Sequence, residues 1–165
     1  MKTALILLSI AAVTVVGAEA PIPTAAYVAM TYTKALTRVT DKPKTVGLEF
    51  ATMCDFRPAD RKYGPHAHAA VHHYRNDSAK APNDKFAPGS VLVKEKLIGR
   101  EGTKELSLEL VTGMIKQPAG TSPTTGDWQF FVVRAGKVET AKMEGCAGCH
   151  TGAKRDYVFT DLPKR

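Results

Sequence analysis

Apolar and polar positions follow two different periods along this chain. Between Thr24 and Thr40, Ala25, Val28, Leu36 and Val39 fall near one face of a 3.6-residue repeat. Pro21 and Pro23 stand just ahead of them, and together these features predict a helix. Asp41-Lys42-Pro43-Lys44 reads as a linker, Thr45 to Phe56 follows neither period, and Arg57 to Gly64 reads as a loop. Pro65 to Asn76 is rich in histidine, and alternation through Ala70-Val71-His72-His73-Tyr74 predicts a strand. After a loop from Asp77 to Pro88, Gly89 opens a strand from Ser90 to Ile98. A turn around Gly99 to Gly102 leads to a second, from Leu106 to Val111 and on to Met114-Ile115, so the two form a hairpin. Gln117 to Gly126 is a Pro/Gly/Thr loop, and Asp127 to Val133 has the β-branched and aromatic content of a strand. Gly136 marks a turn, and a short helix of about Glu139 to Gly145 follows. The fold class expected is therefore α+β: mainly an antiparallel sheet of four or five strands, with an N-terminal helix and a short C-terminal helix that carries the Cys146 to His150 stretch.

The first residues have another character. Lys2, the apolar run Ala4-Leu5-Ile6-Leu7-Leu8 extending to Val16, and the small residues after it have the layout of a secretory signal peptide. The expected cut follows Ala18, with Ala20 the alternative that Pro21 disfavours, so residues 1–18 form the leader and 19–165 a single domain. The apolar run is short for a membrane span and no second one follows, so the mature chain is expected to be soluble and exported, periplasmic in a bacterium. The whole chain carries a formal charge of +7, and loss of Lys2 leaves +6. Its lysines are scattered, with no basic stripe interleaved with aromatics. That argues against nucleic acid and for an acidic redox partner protein.

The chemistry-bearing stretch is Cys146-Ala147-Gly148-Cys149-His150, which is Cys-x-x-Cys-His, the attachment signature of haem c. Two thiols three residues apart share a helical face and can add across the haem vinyl groups, and the histidine beside them reaches the iron. A zinc site would want a second ligand pair at fixed spacing, and a redox dithiol would follow an early strand. Neither context is present. The chain has three cysteines, so Cys54 is left over in an oxidising compartment.

The stretches Gly89-Ser90-Val91-Leu92-Val93-Lys94-Glu95-Lys96, Gly126-Asp127-Trp128-Gln129-Phe130-Phe131-Val132, and Cys146 to His150 with Asp156-Tyr157-Val158-Phe159 resemble cytochrome c′-beta and its enzymatic relatives, cytochrome P-460. The resemblance covers roughly the second half of the chain. It implies a mainly antiparallel β fold, a dimer, one covalent haem c, and His150 as its proximal ligand. It further implies a binder of nitric oxide and related gases or, on the P-460 side, an oxidase of hydroxylamine with a lysine joined to the haem. Lys94 and Lys96 lie in the shared stretch. Neither can be matched to that lysine, and both are expected to be solvated. The family places aromatic side chains over the vacant iron face; Phe86 falls where one would be, and the other is expected around Cys54 to Phe56. Tyr157 and Phe159, close behind the motif, are expected at the porphyrin edge or in the core beside it.

Four candidates compete for the sixth iron position. Cys54 would be an anionic sulfur donor that stabilises Fe(III) and lowers the potential, flanked by Asp55 and Arg57. A histidine among His66, His68, His72 and His73 is the second, although adjacent histidines on a strand face opposite ways. Met53, Met114 or Met143 is the third. The fourth is no protein ligand, with Phe56 and Phe86 guarding an open site. The reading put first is a His150/Cys54 cytochrome of low potential that transfers electrons or binds NO or CO on reduction, as a homodimer or paired with a related haem subunit. The alternatives are a five-coordinate NO binder, a hydroxylamine-oxidising enzyme, and a zinc- or copper-holding module built on the histidines.

Overall fold

The computed structural model describes residues 21–46, 69–81, 83–99, 106–140 and 144–159. Helix α1 (Ala25–Ala35) begins where Thr24 caps it, its hydroxyl accepting the Tyr27 N–H at 3.2 Å. Ala25, Val28 and Tyr32 form its buried stripe. The helix is shorter than its periodicity predicts. Leu36 already has an extended backbone, φ −109° and ψ 151°. The β-branched residues after it enter strand β1 (Thr37–Arg38), whose edge pairing with β3 outweighs their weak helix propensity.

Among the described residues seven strands form one antiparallel sheet in the order β1-β3-β4-β5-β6-β7, with β2 (Lys44–Val46) sharing the outer edge of β3 (Ala69–Arg75) with β1. The others are β4 (Val91–Gly99), β5 (Leu106–Lys116), β6 (Trp128–Arg134) and β7 (Lys137–Glu139). The strands beyond the four or five expected are the short edge pieces β1, β2 and β7, two or three residues each, too brief for a period to show. Glu139, expected to open the last helix, instead ends β7, and that helix is described from Glu144. Ala135 and Gly136 both take left-handed backbone, φ 49° and 77°, which makes a tight hairpin and zips Val138 against Val133. The loops expected at 77–88 and 117–126 hold short 3₁₀ turns at Asp77–Lys80 and Pro123–Thr125.

The sheet is buried on both faces. Tyr74, Val91, Val93, Val111, Ile115 and Phe131 pack under α1 with Ala25, Val28 and Tyr32. Leu92, Met114, Trp128 and Phe130 form the opposite face, with Phe86, Ala147 and Val158. Trp128, Phe131, Ile115, Val71 and Val91 are the largest apolar side chains with almost no exposure, each contributing about 1.5–3 kcal/mol of burial. Gly113 stands opposite Phe131, and a Cβ there would lie 2.1 Å from its ring. The missing side chain is what lets that ring lie across β5.

On the α1 side the Glu95 carboxylate ties helix to sheet. Tyr32 donates its hydroxyl to Oε1 at 2.6 Å and Tyr74 donates to Oε2 at 2.9 Å, the two rings meeting edge-on at 5.2 Å. Burial first, then the Glu95 carboxylate, push the Tyr32 phenol above its ordinary value. The unfolded chain releases that proton near pH 10 while the folded chain keeps it. The contribution of Tyr32 to stability is therefore complete below about pH 10 and is lost as pH rises from there towards the raised folded value. Tyr32→Phe is expected to flatten the alkaline limb of stability against pH, measured by urea unfolding between about pH 9 and 11. Parallel limbs in the two proteins would contradict this.

Beyond Lys96 the β4–β5 register shifts: Lys96 faces Leu110 but Leu97 faces Leu108, leaving Glu109 as a bulge. Lys96 is 8% exposed and pairs with Glu109 at 2.5 Å, so the expectation of a solvated lysine fails there. A bulged carboxylate turned back over the strand satisfies the buried charge. Among the described residues no helix is long and apolar enough to cross a membrane.

Candidate functional site

Helix α2 (Glu144–His150) carries the Cys-x-x-Cys-His stretch, as expected of the short C-terminal helix. Ala147 is 5% exposed and seats the helix on the face formed by Leu92, Met114, Trp128 and Phe130, with Cys146 packed at the edge of that cluster. Both thiols are half-buried, and a spacing of three puts them on one side of the helix. The helix unwinds at once after His150. The Gly152 and Ala153 N–H groups donate to the carbonyls of Cys149 and His150, and the chain turns back towards the sheet.

The His150 ring lies edge-on to Phe130 at 5.2 Å and to Phe159 at 5.4 Å. Its Nδ1 is 2.6 Å from the Tyr157 carbonyl oxygen. A carbonyl only accepts, so Nδ1 carries the proton and Nε2 keeps its lone pair for a metal. Burial is the largest influence on this imidazole and pushes its pKa below the ordinary value; the Tyr157 carbonyl acts against it, and the Lys94 charge acts with it. The ring is thus neutral near neutral pH, as an iron ligand must be. Lys94 is half-buried and sits between His73 and Thr112 in register. It lies on the α2 side of the sheet, since strand alternation sets it beside Leu92 and away from Val91 and Val93.

The segment behind His150 is pinned from several directions. Asp156 and Tyr157 both have left-handed backbone, φ 41° and 67°. The Asp156 carboxylate accepts from Lys116 Nζ at 2.9 and 2.8 Å and from the Phe86 N–H at 3.1 Å, and the Asp156 carbonyl accepts from Trp128 Nε1 at 2.9 Å. The Tyr157 ring fills the notch over Gly126, where a Cβ would lie 2.2 Å from it. The β5–β6 loop below is itself braced. Asp127 accepts the Gly120 N–H at 3.0 Å and the Ser122 N–H at 2.8 Å, and those donors hold its carboxyl below the usual carboxylate range.

Cys146, Cys149 and His150 stand on one helix, and Tyr157 meets His150 through its backbone carbonyl. Phe86 is buried edge-on against Trp128 at 5.3 Å, in the cluster that seats α2. Met114 is buried there too. His72 and His73 face opposite ways: the alternation sets His72 with Tyr74 on the α1 side, Nδ1 3.0 Å from the Thr40 hydroxyl, and His73 opposite Lys94. Cys54 and Phe56 lie outside the described residues, as do Met53, Asp55, Arg57, His66, His68 and Met143. Among the described residues no group of three or more His, Cys, Asp or Glu could hold a bare metal ion. The Tyr157 carbonyl, Lys116 and Asp156 are missed by sequence reasoning. The Asp156-Tyr157 pair stands in the resemblance, yet nothing in residue type announces two successive left-handed residues.

Residues 59–160, more than half of the chain, match the family model described as Cytochrome P460. The chain belongs to the cytochrome P460 family. No curated protein matches it. Membership in the cytochrome P460 family brings haem binding with it, and the donor set fits that group. Two thiols one helical turn apart and a neutral imidazole with an oriented Nε2 stand at the edge of an apolar sheet face. Cys146 and Cys149 would hold the porphyrin and His150 its iron.

Proposed function

We propose that this chain is an exported mono-haem c-type cytochrome in which Cys146 and Cys149 form thioethers, His150 is the proximal iron ligand and Cys54 the distal one. The observation that carries the reading is the His150 Nδ1–Tyr157 carbonyl hydrogen bond of 2.6 Å, which fixes the tautomer an axial imidazole needs. The haem, when bound, supplies a one-electron Fe(III)/Fe(II) couple and an axial coordination position. His150 donates a neutral nitrogen strengthened by its carbonyl partner. Cys54 donates an anionic sulfur, which favours Fe(III) and sets a low potential. With the iron reduced, Cys54 would be the weaker donor of the two, and the position it leaves would suit NO or CO. The leader (1–18) would send the chain to the periplasm, where it would exchange electrons with an acidic redox protein, as a homodimer or beside a related haem subunit. In this reading the protein is not an enzyme.

The test is the electron paramagnetic resonance spectrum of the ferric protein, wild type against Cys54→Ala. A low-spin thiolate signal in the first, replaced by a high-spin signal in the second, is expected. High-spin signals in both would remove Cys54 from the iron and leave a five-coordinate gas binder.

A second reading, hydroxylamine oxidation, draws on the family match and on Lys94, a half-buried lysine on the α2 face whose charge His150 feels. It needs a lysine–porphyrin bond and a carboxylate that takes up protons. A strongly displaced visible absorption in the same samples would favour it, and an ordinary c-type spectrum would dismiss it.

A further inference from the structure

Lys116 and Asp156 form a largely shielded ion pair, their side chains 13% and 17% exposed, one residue away from the carbonyl that holds His150. The Lys116 ammonium has three protons. It has three oxygen acceptors: both Asp156 oxygens at 2.9 and 2.8 Å, and the Gly126 carbonyl at 2.8 Å. It also lies 5.0 Å above the Trp128 ring, which fixes it laterally. So saturated a site is built to hold one geometry.

What it holds is an unfavourable backbone. Two successive non-glycine residues at φ 41° and 67° persist only where the surroundings over-determine them. Three of the constraints fall on Asp156: the lysine, the Phe86 N–H and the Trp128 indole. With Asp156 clamped, the next peptide unit has one direction, and its carbonyl points at His150 Nδ1. Without the lysine the carboxylate is a buried charge lacking its partner and must turn towards water. The turn that aims the Tyr157 carbonyl then relaxes.

We infer that the Lys116–Asp156 pair is a positioning device for the iron ligand, aiming the Tyr157 carbonyl at His150 and thereby setting how strongly that imidazole donates. The inference rests on the reading of His150 as the proximal ligand. A firmly held acceptor on Nδ1–H gives the ring part of the character of an imidazolate, which stabilises Fe(III). Loosening the acceptor raises the potential and lets the Nδ1 proton exchange with solvent.

The experiment uses the holoprotein as wild type, Lys116→Met, Lys116→Arg, Asp156→Asn and, as a control, Lys96→Met, which breaks the Lys96–Glu109 pair and leaves the bonds to Asp156 in place. Two quantities are read: the midpoint potential, and the solvent exchange of the His150 Nδ1 proton by NMR in the diamagnetic ferrous carbon monoxide adduct. Lys116→Met and Asp156→Asn should speed the exchange about tenfold, the loss of roughly one net hydrogen bond, and move the potential upward. Lys116→Arg should restore most of both, and Lys96→Met should move neither. Unchanged exchange and potential in Lys116→Met with covalent haem retained would overturn the inference, as would equal shifts in Lys96→Met. Wild-type protein in which carbon monoxide binds opposite a ligand other than His150 would instead overturn the reading beneath it.

Discussion

Cys146→Ala/Cys149→Ala, exported alongside a working cytochrome c maturation system, is expected to carry no covalent haem. Its denatured band should lose haem-dependent peroxidase staining, any colour should pass into acidified acetone, and the intact mass should be that of the polypeptide with no porphyrin attached. The loss should be complete, because in the proposed reading thioethers to these two thiols are the covalent links. Imidazole coordination is a separate matter. His150 is aimed by Tyr157 and by the rings of Phe130 and Phe159, none of which depends on the cysteines. The double variant should therefore still take up added haem reversibly, through one axial bond. Staining that survives in the double variant would mean the porphyrin is held elsewhere.

Trp128→Ala should be the most destabilising single change on the α2 side of the sheet. The side chain is 1% exposed, and truncating a buried aromatic of this size costs about 3–5 kcal/mol. The indole also does three local things at once: it meets Phe86 edge-on, supports the Lys116 ammonium, and donates from Nε1 to the Asp156 carbonyl. At roughly 2–4 °C per kcal/mol for a domain of this size, the Tm should fall by about 10 °C or more. Trp128→Phe keeps most of the packing and loses the Nε1 bond, so it should fall by much less, on the order of 1 kcal/mol beyond its lost volume. Trp128 is the only tryptophan in the chain, so unfolding has to be followed by circular dichroism or haem absorbance. A Tm in Trp128→Ala within about a degree of wild type would show that this cluster does not carry the α2 face.

The long strands are legible in the sequence because burial on one or both faces imposes a period on them. β4 and β5 stand almost where Ser90 to Ile98 and Leu106 to Ile115 suggest, and β6 starts one residue after Asp127. The short edge strands are not legible, since Thr37–Arg38 and Lys137–Glu139 owe their state to a neighbour's hydrogen bonds and not to their own composition. The end of α1 is hidden for the same reason: Leu36 and Val39 keep the helical period, but the edge of β3 captures the chain first. At the site, the attachment residues are plain because covalent chemistry demands particular side chains at a particular spacing. The support behind His150 is hidden because it works through a backbone carbonyl and a lysine that meets its aspartate forty residues later. The lysine reading divides likewise. Lys96 is buried only because Glu109 bulges out of register to meet it, and a bulge leaves no mark on an alternating pattern.

Among the described residues the sheet parts two packed clusters that share no side chains, with α1 and the Tyr32–Glu95–Tyr74 clasp on one side and α2 on the other. Evolution, or a designer, can therefore rewrite the first without rewriting the second. If α2 carries the porphyrin as proposed, randomising the residues beneath α1 would yield a library whose members differ in robustness but keep their pigment, so that colony colour sorts the folded from the unfolded while the tint itself stays constant.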